Sequence, residues 1–204
     1  MEYGELTLEE FTSRLASRDA VPGGGGASAV TGAMAAALAS MVANLTVGKE
    51  RYAAFEEELR MIIDRAEELR TRLLGLADKD AEAFLPLAAA YSIPKNAPDR
   101  AEQMDAALLA ASLPPLDIMS ACCEVLELHE RLLRCGSRIA MSDVAVGAAL
   151  TASALRGASH NVFVNAAGLR DREKAAFLTG RAEDMLKETE RAENIISRAE
   201  EMIK

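Results

Sequence analysis

Four consecutive glycines, Gly23, Gly24, Gly25 and Gly26, stand between Val21-Pro22 and a long run of small residues ending Asn44-Leu45-Thr46-Val47-Gly48-Lys49. Glycines lack Cβ atoms, so the backbone there can turn sharply and come close to a ligand. The segment behind them reads as a helix whose first N–H groups have no intrahelical acceptor and point back toward the glycines. Together they describe a cradle for an anion or another ligand, with the four glycines as contact residues. No Gly-Lys-Ser/Thr follows at Walker spacing, so this is not a phosphate loop of that type. Residues 20–48 hold no Asp, Glu, Lys or Arg in a chain that is 27% charged. A stretch kept so uncharged is expected to be buried against something.

A second quiet stretch, residues 139–169, contains two permanently charged side chains, Asp143 and Arg156. A lone carboxylate in such surroundings is costly unless something pairs with it. Two readings stay open: Ser142 or Asp143 caps a helix restart, or Asp143 faces a ligand cation or acts as a general base. Asp143, Gly147, Thr151, Ala154, Ala158, Asn161 and Asn165 fall on or near one helix face. Asp143 and Asn161 are nevertheless about 27 Å apart at the standard rise, so they share a face without sharing a reacting atom. A long ligand, a broken helix or a second subunit would be needed to join them. Asn161 and Asn165, one turn apart, can hydrogen-bond one ring edge or satisfy interhelical polar groups. Lys49, followed by Arg51, either meets a ligand at the end opposite the glycines or compensates the helix dipole. His129 and His160 lack the helix-face partners of a metal site, so no metal is expected.

These residues need helices to hold them. Hydrophobic residues make up 50% of the 204 residues but aromatics only 4%, with no Trp. Such a core is filled by Ala, Leu, Val, Met and Ile at close helix separation, which predicts an all-α single domain over residues 1–204. Thr7 and Glu10 fit a capping box opening a helix that runs to about Arg18. A second helix is expected over residues 27–45, with small residues at three- and four-residue spacing. A third covers residues 52–91, with Leu59, Ile62, Ile63, Ala66, Leu69 and Leu73 inward and a kink at Pro86. Residues 99–112 read as a helix ended by Pro114-Pro115, residues 116–133 as its restart, and residues 137–169 as one long helix. A last amphipathic helix, residues 172–202, would bury Phe177, Leu178, Met185, Leu186, Ile195 and Ile196. The sum is an antiparallel bundle of about seven or eight helices.

The net charge of −9 removes nucleic-acid backbones from the expected partners. Cys122, Cys123 and Cys135 form no CxxC pair and the N-terminus is acidic, which points to a reduced, cytoplasmic setting with the thiols packed as small hydrophobes. Residues 27–47 are long enough to cross a bilayer, but Ala, Gly, Ser, Thr and Asn dominate them. A buried central or interface helix, not a membrane span, is expected. Two small-residue helices in a chain of this size also predict a homodimer.

Pro22-Gly23-Gly24-Gly25, the run from Ser40 to Lys49, Tyr52, Asp80-Ala81-Glu82-Ala83-Phe84, Pro94-Lys95, Ser142-Asp143, and Asn161-Val162 with Asn165 occur in an order that resembles the cyclodeaminase/cyclohydrolase family of folate enzymes. Members often carry Ser where this chain has Gly26, so a hydroxyl role there would shift to Ser28 or be lost. The resemblance implies an all-helical homodimer acting on a tetrahydrofolate one-carbon unit, with no metal and no permanently bound cofactor. It implies one of two reactions, cyclodeamination of 5-formiminotetrahydrofolate, which is favoured, or hydrolysis of 5,10-methenyltetrahydrofolate. A non-catalytic folate- or partner-binding dimer is the rival from another class. Both reactions pass through a tetrahedral carbon between N5 and N10 and need a proton-transfer group. Asp143 is the first candidate and Asp80 the second. Lys49, Lys95 and the glycine amides are candidates for the folate glutamate carboxylates, with Asn44, Asn161 and Asn165 as further substrate contacts.

Overall fold

The computed structural model describes residues 2–204, which form seven α-helices, three short 3-10 turns and, among the described residues, no strand. The helices are α1 (Leu8–Leu15), α2 (Gly24–Asn44), α3 (Glu56–Tyr91), α4 (Arg100–Cys135), α5 (Met141–Gly168), α6 (Arg172–Leu186) and α7 (Glu188–Ile203). The expected capping box is present: Thr7 Oγ1 accepts from the Glu10 N–H, and the Glu10 carboxylate accepts from the Thr7 N–H. That helix stops at Leu15, short of the expected Arg18.

Helices α2 to α5 make an antiparallel four-helix core. Opposed residues fix the directions: Gly32 lies against Leu73, Glu58 pairs with Arg131 and Arg134, His129 lies against Gly147, and Ser28 against Gly157. Helix α2 packs on α3, α5 and α4. Its centre, Ala29, Ala35, Ala36, Ala39, Val42 and Ala43, is fully buried, and side chains this small let the neighbouring backbones approach. The larger core side chains come from α3 (Leu59, Ile62, Leu69, Leu73), α4 (Ile118, Met119, Leu126, Leu132), Met141 and Leu155 of α5, and Ile195 of α7. Helices α6 and α7 cover α5, and the turn Tyr3–Glu5 lies beside α3, where the Tyr3 N–H donates to Asp78.

Three expectations need correction. The glycines are not a loop: Gly24, Gly25 and Gly26 form the first turn of α2, and Gly23 is its N-cap with extended backbone. Gly48 is the one described residue with positive φ, at 78°. Second, Pro114-Pro115 does not end a helix, because α4 runs through it from Arg100 to Cys135. A proline leaves the carbonyl four residues back without its donor. Here Ala110 is exposed to water, while the Ala111 carbonyl accepts from Asn165 Nδ2 at 2.9 Å. Pro86 is carried inside α3 in the same way, since Glu82, whose carbonyl it frees, is exposed. Third, residues 172–202 are two helices broken at Lys187, and Phe177 is 63% exposed, not buried. Helix α2, helix α4 and the segment Arg138–Gly168 are long and apolar enough to cross a membrane; the bundle buries 61%, 61% and 50% of their apolar windows.

Candidate active site

At the end of the core where α2 begins and α5 finishes, a cavity of about 210 Å³ opens between four helices. Its floor is the first turn of α2, Gly23, Gly24 and Gly25, with Ala20 and Val21 before it. Helix α3 contributes Asp80 and Phe84, α4 contributes Ala111, and α5 contributes Asn161, Val164 and Asn165. The volume is below the roughly 300 Å³ at which pockets for whole drug-sized ligands begin, so it suits one ring system with the rest of a ligand outside.

Asp80 is the dominant charge. It meets the N-terminus of α2 and accepts a hydrogen bond from the Gly26 N–H, which favours the ionised form. Burial opposes this more strongly, and the carboxyl is pushed up to about 6. A Cβ on Gly25 would overlap that carboxylate, whereas one on Gly24 would make ordinary contact with Asn161 at 3.6 Å. Glycine is therefore required at position 25 for the close approach of Asp80, not for a left-handed backbone. The first turn of α2 thus already faces an anion of the protein's own, the Asp80 carboxylate.

All the sequence candidates except Lys95 fall into two groups. Gly23, Gly24, Gly25, Asp80, Asn161 and Asn165 meet at the cavity, and Gly26 lies behind it with its N–H on Asp80. Asn44, Lys49 and Asp143 lie at the other end of the antiparallel α2–α5 pair, about 30 Å away by the rise of a 21-residue helix. Asn44 turns its amide onto Ser40 of its own helix, and Lys49 is exposed. Asp143 lies in the first turn of α5, whose N-cap is Ala140 with no side-chain cap bond, so neither Ser142 nor Asp143 caps it. Lys95 is exposed in the 92–99 connection between α3 and α4, at the cavity's end of the bundle. No Lys or Arg lines the cavity. Among the described residues no group of His, Cys, Asp and Glu is placed to hold a metal.

Reasoning from sequence missed Phe84 and Val164 as apolar walls and Ala111 as part of the lining. It also missed His129, fully buried with Nε2 3.0 Å from the Ala35 carbonyl and its ring against Gly147. The signals were there: Phe84 is one turn beyond Asp80, and Gly147 is the single glycine between Met141 and Arg156.

The formiminotransferase-cyclodeaminase family model matches residues 7–184. This chain belongs to that family. A methenyltetrahydrofolate cyclohydrolase from Methylorubrum extorquens is 42% identical over 191 residues, covering 92% of this chain and 88% of the relative. The formimidoyltransferase-cyclodeaminase of Sus scrofa is 31% identical over 185 residues, and this chain spans about a third of that longer relative, 34%. The crystal structure of a formiminotetrahydrofolate cyclodeaminase from Thermotoga maritima superposes with a TM-score of 0.85 at 32% identity, covering 99% of this chain and 98% of that one. The family's members named here are enzymes of folate one-carbon chemistry, and this chain is an enzyme of that family.

Proposed function

We propose that this chain hydrolyses 5,10-methenyltetrahydrofolate to 10-formyltetrahydrofolate, with Asp80 as the proton-transfer group. The observation that carries the reading is a cavity sized for one ring system that holds a carboxylate raised to about 6 and no cationic side chain. The methenyl substrate is a cation at the carbon under attack. An anionic cavity stabilises that charge, and a carboxylate in hydrogen-bond reach can take the proton as water adds. Addition gives a neutral tetrahedral carbon bearing a hydroxyl. The protonated Asp80 then delivers its proton to N5 as the C–N5 bond breaks, the hydroxyl proton goes to solvent, and the carbon leaves as the N10 formyl group. One water is consumed and one proton released. A carboxyl near 6 is suited to both steps at neutral pH.

The preference for hydrolysis rests on the 42% identity to a cyclohydrolase that the chain matches over nearly its whole length. Cyclodeamination is the second reading, supported by the likeness to the Thermotoga maritima enzyme over 99% of the chain. It uses the same carboxylate to protonate departing ammonia. The folate tail stays outside the cavity and Lys95, exposed in the α3–α4 connection at the same end of the bundle, meets its carboxylates; a cytoplasmic setting belongs to the same proposal. So does a homodimer, supported by the uncharged outer face of α2, where Met34, Met41 and Leu45 remain exposed.

The purified protein should be given 5,10-methenyltetrahydrofolate and, in parallel, 5-formiminotetrahydrofolate with ammonia release followed. Loss of the methenyl absorbance above the spontaneous rate, without turnover of the formimino compound, is the expected result. Ammonia release would assign the deaminase instead, and turnover of neither would end the enzymatic reading.

A further inference from the structure

The cavity's remaining polar side chains, Asn161 and Asn165, are each tied at one end. Asn165, 8% exposed, donates from Nδ2 to the Ala111 carbonyl at 2.9 Å, and Asn161 donates from Nδ2 to the Gly157 carbonyl at 3.1 Å. A carbonyl oxygen only accepts, so each amide must give its NH2 group to the backbone and turn its Oδ1 the other way. Neither Oδ1 accepts a hydrogen bond from any described residue, and both side chains line the cavity. The site therefore presents two fixed acceptors beside the Asp80 carboxylate. A ligand group with lone pairs would be repelled there, and a group carrying N–H donors would be held.

Spacing narrows the group further. The two asparagines are one helical turn apart, with Cβ atoms about 5–6 Å from each other. Two acceptors bound to the two hydrogens of one amino group, each at about 2.9 Å and about 120° apart, are separated by about 5 Å. One planar exocyclic amino group can thus bridge both oxygens.

What holds Asn165 in this orientation is Pro115. In an uninterrupted helix the N–H of residue 115 would take the Ala111 carbonyl; proline has none, and its ring presses that carbonyl away from the helix ladder. The diproline step inside α4 thereby creates the acceptor on which the Asn165 amide is anchored.

We propose that Asn161 and Asn165 form an acceptor pair for the exocyclic amino group of the ligand's pteridine ring, and that Pro115 is the residue that positions it. The proposal rests on the folate reading above and deepens it by assigning which end of the ligand enters the cavity: the amino-bearing ring, with the glutamate tail outside.

Calorimetric binding of 5-formyltetrahydrofolate and of its 2-desamino counterpart tests it in the wild-type protein. The desamino compound should bind about tenfold more weakly, since its loss leaves two acceptors unpaired. In Pro115→Ala the restored N–H competes for the Ala111 carbonyl. The two compounds should then bind within about threefold of each other, KM should rise about tenfold, and kcat and melting temperature should stay near wild type. Equal binding of both compounds by the wild type overturns the acceptor pair while leaving the folate reading intact. Binding of neither overturns the folate reading itself. A tenfold preference that persists in Pro115→Ala overturns the positioning role. Should that variant not fold, Asn165→Ala replaces it, and a preference surviving there overturns the pair.

Discussion

Asp80 and Gly25 act as one unit, because the carboxylate occupies the space in which any other residue at 25 would place its Cβ. Gly25→Ala should therefore displace Asp80 and lower kcat by about 10²-fold or more, the scale of losing a positioned proton-transfer group. Gly24→Ala, whose Cβ meets Asn161 at 3.6 Å, should keep kcat within a few fold. Steady-state kinetics on the pair checks this, and equal losses would mean that the whole turn, not the Asp80 approach, is what matters. Asp80→Asn keeps the shape and can still accept from the Gly26 N–H, yet removes the proposed base, so kcat should fall by about 10²–10⁴-fold. Asp143→Asn, at the far end of α5, should leave kcat within about threefold. The opposite ranking of the two variants would return Asp143 to the mechanism.

At the scale of elements, what was legible followed from periodicity and capping, and what was not followed from tertiary partners. The inward stripe Leu59, Ile62, Ile63, Ala66, Leu69 and Leu73 and the Thr7–Glu10 box are local patterns, and the structure carries them as read except that Ile63 is only half-buried. Pro114-Pro115 is a local pattern whose usual outcome is overruled by an acceptor–donor match with Asn165, 50 residues downstream of Pro115, which no local reading can see. The site divides the same way. The glycines, Asp80 and the two asparagines were identifiable as chemistry, but the distance between Asp143 and the cavity depended on α5 being one unbroken helix. Gly147 shows the same dependence on a distant partner: it is glycine because the buried His129 ring occupies its side-chain space. Gly147→Ala gains helix propensity of roughly 1 kcal/mol but must move a fully buried ring, an overpacking cost of about 1–3 kcal/mol. Denaturant titration should show a net loss of stability; a gain would mean that His129 repacks freely.

Two properties belong to the whole molecule. The outer face of α2 leaves Met34, Met41 and Leu45 between 38% and 46% exposed without a charge beside them on that helix, and sedimentation at micromolar concentration should show a dimer, with an active monomer ending that proposal. The second property is stability against pH, set by two buried groups at opposite signs. Burial raises Asp80 from 3.8 to about 6, so the folded protein holds its proton more tightly than the unfolded chain, and stability is gained as pH falls through that window. Burial lowers His129 from 6.5 to about 4, so the unfolded chain takes the proton first and stability is lost over nearly the same window. Each contributes roughly 2 kcal/mol between pH 6.5 and 4.5, and in the wild type they largely offset. Asp80→Asn removes only the gain. That variant should melt several degrees above wild type at pH 7.5, roughly 2–4 °C per kcal/mol for a chain of this size, because no buried charge has to be carried. As pH falls it should lose this lead, with the two melting curves converging near pH 4.5 while wild type stays nearly level. Parallel curves across the whole range would mean that Asp80 is ionised as easily in the folded protein as in the unfolded chain, and would remove the raised carboxyl on which its proposed proton-transfer role rests.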